Sequence, residues 1–96
     1  MNGGRKRMKI KGTFVTRDIA GDTVIVPVGE TALKYNGMIT VTRTGAVLWQ
    51  ALETGAESRE ELVKALLDGF DVDAATAAAD VEEFLEQLRQ ADLLEE

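Results

Sequence analysis

The chain has no cysteine and no histidine, a single proline, and only five aromatic residues, Phe14, Tyr35, Trp49, Phe70 and Phe84, among 96. Without cysteine there is no disulfide, no thiolate nucleophile and no sulfur ligand for zinc. Without histidine the commonest general base and the commonest haem ligand are gone. No apolar run approaches the length needed to span a bilayer. The basic start leads into Gly12-Thr13 rather than the apolar stretch of a secretory signal. A reducing, cytoplasmic setting is expected, with no cofactor, metal or membrane partner.

Charge of one sign is scarce over most of the sequence. Eleven basic residues face 17 acidic ones, for a net charge of −6. Five of the basic residues, Arg5, Lys6, Arg7, Lys9 and Lys11, stand before Thr13 with no acid among them. From Ser58 onward the only cations are Arg59, Lys64 and Arg89. Such a body repels nucleic-acid phosphates. Residues 1–12 read as a flexible basic N-terminal arm and residues 13–96 as the domain. A domain of this size buries roughly 60–65% of its unfolded surface, which leaves little room to enclose a deep catalytic cavity.

The residues present fall into two patterns. Thr13 to Ile19 and Thr23 to Val28 are rich in β-formers and flank the turn cluster Ala20-Gly21-Asp22, a hairpin signature. Pro27 has no N–H to donate, so it belongs at a strand end or an unpaired edge. Residues 29–35 are irregular, and Asn36-Gly37 marks a turn. In the third strand, Met38 to Thr42, Ile39 and Val41 point to one face and Met38, Thr40 and Thr42 to the other. Helical periodicity follows almost at once, after a turn at Arg43-Thr44-Gly45. Val47, Leu48, Ala51 and Leu52 share a face with Trp49 on its flank, capped by Thr42 or Thr44 and stopped at Thr54-Gly55. Ser58 and Glu61 make a capping box for a second helix, striped by Leu62, Val63, Leu66, Leu67 and Phe70. A third helix, capped by Asp71 or Asp73, runs to about Ala91 with its apolar arc through Ala74, Ala77, Ala78, Val81, Phe84, Leu85 and Leu88. The expected fold is α+β and winged helix-turn-helix-like: a three-stranded antiparallel sheet followed by three helices.

Candidate chemistry is thin. Asp80, Glu83 and Glu86 lie on adjacent helical turns, a spacing that suits acid–base work or a divalent cation, but no histidine, cysteine or phosphate-binding loop accompanies them. They read as a solvated face, and the chain is not expected to be an enzyme. A winged-helix DNA-binding regulator is the alternative. Against it, the third helix carries one basic residue, Arg89, where a DNA-reading helix presents several. The strand Met38 to Thr42 stands out instead. It has no proline and no charge before Arg43, so nothing blunts its edge, and an open edge accepts an extended peptide. The same edge leaves a homodimer open.

These residues carry a resemblance. Asn36 through Trp49, with its strand, its short link Thr44-Gly45-Ala46 and its apolar helix bearing Trp49, resembles the signature of the PqqD family. Ser58 through Leu67, Phe70-Asp71-Val72-Asp73 and Asp80 through Leu85 are similar to successive family motifs, and Phe14 to Arg17 and Val24 to Pro27 also fit. The likeness runs over about residues 13–94. It implies a RiPP recognition element, which binds the leader of a ribosomally synthesised precursor peptide and presents it to a modifying enzyme such as a radical SAM protein. In the family the leader adds as a strand to the third strand and lies against the third helix. Carried over, the peptide-binding residues are Met38, Ile39, Thr40, Val41 and Thr42 on the edge and Asp80, Val81, Phe84 and Leu88 on the helix. Two departures stand out. Asp92 replaces a common glycine, so the last turn is expected to continue rather than cap. The basic arm is not part of the family pattern.

Overall fold

The computed structural model describes residues 7–35 and 37–96, and the expected Asn36 turn position and arm residues 1–6 lie outside the described residues. The elements run β1 (Lys9–Ile10), β2 (Phe14–Ile19), β3 (Asp22–Pro27), α1 (Glu30–Lys34), β4 (Ile39–Val41), α2 (Arg43–Thr54), α3 (Arg59–Gly69), α4 (Ala74–Gln90) and β5 (Leu94–Glu95). This is an α+β chain whose three-stranded antiparallel sheet, in the order β2-β3-β4, is followed by three helices. It divides into two compact units. Residues 12–46 form a sheet unit, and residues 7–11 with 47–96 form a helical unit.

In the sheet unit, β2 and β3 are joined by Ala20-Gly21, both with positive φ (53° and 88°). A two-residue loop of this kind matches the right-handed twist of the strands it joins. It fixes the register from Ile19↔Asp22 to Phe14↔Pro27. β4 then pairs with β3 through Thr23↔Val41, Val24↔Thr40 and Ile25↔Ile39. Ile25 and Phe14, which share one face, are 0% and 8% exposed, whereas Val15 and Ile19 on the other are 36% and 56% exposed. Pro27 closes β3, as its missing donor requires. The segment that looked irregular contains α1, a five-residue helix with no buried residue and no side-chain cap. Its Thr31 hydroxyl accepts from the Thr13 N–H at 2.7 Å, and Phe14 meets Tyr35 edge-on with ring centroids 6.2 Å apart.

The helical unit is built on buried stripes. Leu48, Trp49 and Leu52 of α2, Leu62 and Leu66 of α3, and Ala77, Val81, Leu85 and Leu88 of α4 are all at most 5% exposed. Each fully buried leucine contributes roughly 2 kcal/mol of transfer free energy. Trp49, which the spacing places on the flank of the α2 stripe, is a packing anchor of the core. α3 packs on α4, and Arg59 pairs with Glu82 across them. The Ser58 hydroxyl accepts from the Glu61 N–H at 3.3 Å, while the Glu61 carboxylate accepts from the Glu57 N–H at 3.2 Å. The reciprocal half of the capping box has thus slid one residue toward the N-terminus. Asp73, not Asp71, caps α4, accepting from the Thr76 N–H at 2.7 Å.

Two further features depart from what the sequence predicts. The first is the end of α4. Asp92 takes the left-handed conformation (φ 59°), the Leu93 N–H donates to the Leu88 carbonyl at 2.8 Å, and the Asp92 N–H donates to that of Arg89 at 3.0 Å. This bond pair closes the helix as a glycine would, so the last turn caps instead of continuing. The Asp92 carboxylate meanwhile accepts from the Lys11 ammonium at 2.8 Å. The second lies in the basic segment: of the flexible arm expected over residues 1–12, residues 7–11 are paired, and residues 1–6 lie outside the described residues. Met8 and Ala56 exchange backbone bonds of 2.8 and 2.9 Å, and β1 pairs antiparallel with β5. The Arg7 guanidinium donates to the Thr54 and Gly55 carbonyls at the end of α2, where helix-end carbonyls concentrate negative potential. Gly55, at φ 104°, makes room for it: a Cβ there would fall 2.9 Å from the guanidinium.

Candidate functional site

The hydrogen-bond parity of the sheet decides what β4 offers. A two-residue hairpin loop is closed by a pair that exchanges both backbone bonds, and such pairs alternate along antiparallel strands. Asp22, Val24 and Val26 therefore turn their backbone groups toward β2. The Val28 N–H, which donates to the Thr13 carbonyl at 3.0 Å, continues the same parity. Thr23 and Ile25 turn theirs toward β4, where they face Val41 and Ile39. On β4 itself, Ile39 and Val41 are engaged with β3. The N–H and C=O of Thr40 point the other way, to an edge with no further strand among the described residues.

Both ends of this edge are set by neighbouring chemistry. The next two-bond pair with β3 toward the N-terminus would involve Pro27, which has no N–H, so β4 pairing stops at Ile39. At the other end Thr42 caps α2. Its hydroxyl accepts from the Gly45 N–H at 3.1 Å, and its carbonyl accepts from the Ala46 N–H at 2.8 Å. Residues 43–45, expected as a turn, are consequently the first turn of the helix, and Thr42 alone joins strand to helix. Met38 is 68% exposed; Thr40 and Thr42 are also exposed, and Ile39 and Val41 are half-buried. The five edge residues are thus brought together, with alternating exposure, as the period-2 pattern anticipated.

The helix residues divide differently. On α4, Asp80 and Phe84 are half-buried. Val81 and Leu88 are 1% and 5% exposed, so they offer almost no surface to a ligand and serve the interior of the helical unit. A helix arc read from spacing identifies an apolar face without separating its centre from its rim. The other α4 carboxylates are Glu82, Glu83 and Glu86. Glu86 pairs with Arg89 at 3.3 Å, and among the described residues no cluster of three acidic side chains is placed to hold a metal ion. Arg89 is itself engaged by Glu96 at 3.0 Å. Sequence reading missed how Thr42 acts. Its position as a cap was legible, but the engagement of its carbonyl, which ends the edge, becomes visible only once Arg43 is known to be helical.

The three-stranded antiparallel sheet, with its last strand running directly into the first of three helices, sets the class of the chain as α+β. Within that class the chain belongs to the PqqD family: the family model described as coenzyme PQQ synthesis protein D (PqqD) matches residues 22–94. Two solved structures are similar in fold. TbiB1 in complex with the TbiA(beta) leader peptide is 26% identical, with a TM-score of 0.66 over 91% of this chain and 94% of that one. Lasso peptide synthetase B1 complexed with the leader peptide is 12% identical, with a TM-score of 0.68 over 95% of this chain and 100% of that one. No curated protein matches the chain.

Proposed function

We propose that this protein is a non-catalytic peptide-binding module of the RiPP recognition type. It takes the leader of a ribosomally synthesised precursor as an added strand on β4 and presents that precursor to a modifying enzyme. The observation that carries this reading is the outward N–H and C=O of Thr40 on an edge with no charge from Met38 to Thr42. The sheet's other outer strand, β2, carries Arg17 and Asp18, and charges discourage strand addition. Membership of the PqqD family and similarity to leader-bound TbiB1 support the reading. Asp80 and Phe84 are the α4 side chains assigned to leader selection. Val81 and Leu88 act only by holding that helix in shape.

The modifying enzyme is proposed to be a radical SAM protein, on the family resemblance, and the setting cytoplasmic. No helix among the described residues is long and apolar enough to cross a membrane. A second copy of the chain would compete for the same edge, so added leader is expected to suppress any self-association seen by sedimentation.

The test is leader binding to variants at the two outer strands. Thr40→Pro removes the outward donor of β4 and leaves its bonds to β3 intact. Thr16→Pro does the same on β2. Affinity is expected to fall by about tenfold or more for Thr40→Pro, the scale of a lost hydrogen bond plus local strain, and to hold for Thr16→Pro. The reverse pattern would overturn the assignment.

A further inference from the structure

We infer that the docking edge has a built-in stop: Thr42 terminates the ladder at its α2 end, so the last two-bond pair open to a bound leader on that side is the one at Thr40. This rests on the proposed function, with the added strand taken as antiparallel to β4, the sense of the sheet's own pairs. Three residues present outward parity, Met38, Thr40 and Thr42. Thr40 has both backbone groups available. Met38 lies next to Gly37, whose φ is 120°, at the point where pairing with β3 has ended. Thr42 has its N–H to give, but its carbonyl is directed into the first turn of α2, where it accepts from the Ala46 N–H at 2.8 Å. A helix-capping carbonyl is aligned with the helix axis and no longer with the sheet. A leader residue opposite Thr42 therefore finds a donor and no acceptor.

The consequence is an asymmetric rule for the leader. Let n be the leader residue opposite Thr40. Its N–H meets the Thr40 carbonyl and its carbonyl meets the Thr40 N–H. The residue at n+2, toward the leader's C-terminus, meets Met38. The residue at n−2 meets Thr42 and needs no N–H at all. The leader tolerates proline at n−2 and excludes it at n. Selectivity thus has a backbone component, separate from any side-chain contact, and sliding by two residues toward the helix is penalised because the two-bond pair cannot be re-formed at Thr42. Thr42 is a register-positioning residue, acting through the carbonyl that α2 has claimed.

Two measurements on the full chain test this. In the free protein, backbone hydrogen exchange is expected to show the Thr40 amide open, with the Ile39, Val41 and Ala46 amides protected. A protected Thr40 or an open Ala46 overturns the edge geometry whether or not any leader binds. With a synthetic leader that binds the unmodified chain, each backbone amide is replaced in turn by an ester, and n is assigned from Overhauser contacts to Thr40. Affinity is expected to fall about fivefold to tenfold for the ester at n, one hydrogen bond's worth, and to stay unchanged at n−2. A loss at n−2 equal to that at n means the ladder runs past Thr42 and overturns the stop. If no leader binds, the proposed function fails, while the exchange pattern still decides the geometry of the edge.

Discussion

At the scale of single residues, the direction of one amide separates the docking role proposed for Thr40 from the stability of the sheet. Ile39 and Val41 donate into the sheet, and Thr40 donates out of it. Proline at 39 or 41 is therefore expected to lower the unfolding midpoint, since each removes a bond to β3, whereas Thr40→Pro is expected to leave that midpoint close to wild type. Thermal denaturation of the three variants checks this. Ala20, at φ 53° in the hairpin loop, is a non-glycine residue in a conformation that glycine or asparagine adopts at less strain. Ala20→Gly is expected to stabilise by about 0.5–1 kcal/mol, measured by urea unfolding. Three carboxylates are held below their ordinary range. Hydrogen bonding from the Thr76 backbone N–H lowers Asp73, hydrogen bonding from Lys11 lowers Asp92, and hydrogen bonding from Arg89 lowers Glu96. A depressed folded-state pKa means the unfolded chain binds protons first as pH drops. The stability these groups contribute is present at neutral pH and is lost as pH falls below about 4, through their folded values. A urea midpoint that falls over that window in the wild type, and falls less in Asp92→Asn, is the expected result.

Among the elements, local patterns were legible and distant pairings were not. The hairpin, the third strand and the three helices each announce themselves within a dozen residues, through alternation, turn chemistry or a cap such as Ser58 or Asp73. The β1–β5 pair could not be read this way. Its strands are two residues long and lie at opposite ends of the chain, and nothing in Lys9-Ile10 signals Leu94-Glu95. Nor does sequence separate Phe84 from Val81, because both fall on one arc and only packing distinguishes rim from centre. The basic segment changes meaning once its pairing is seen. Arg7 caps α2, Lys9 lies opposite Glu95, and Lys11 holds Asp92. Removing residues 1–11 is expected to destabilise the helical unit, with greater dye binding as Ala56 and Leu94, 1% and 7% exposed in the intact chain, lose their cover.

For the whole molecule, the distribution of charge shapes the encounter with a leader. Arg7 and Lys11 are engaged by carbonyl and carboxylate oxygens, and the chain as a whole carries a net charge of −6 with an isoelectric point near 4.6. A leader with basic character is drawn to such a surface at long range. Its affinity is expected to weaken as salt rises from low to physiological ionic strength. A salt-independent affinity would assign binding to backbone pairing and apolar contact alone.

The central claim is that a leader becomes the fourth strand, beside β4. The most direct measurement is a titration of isotope-labelled protein with the precursor leader, following backbone amides by NMR while calorimetry confirms binding. The Thr40 amide is expected to shift strongly and become protected from exchange at saturation, with Met38 and Thr42 shifting beside it. Confirmed binding that leaves the amides of Met38 to Thr42 unmoved would contradict the account.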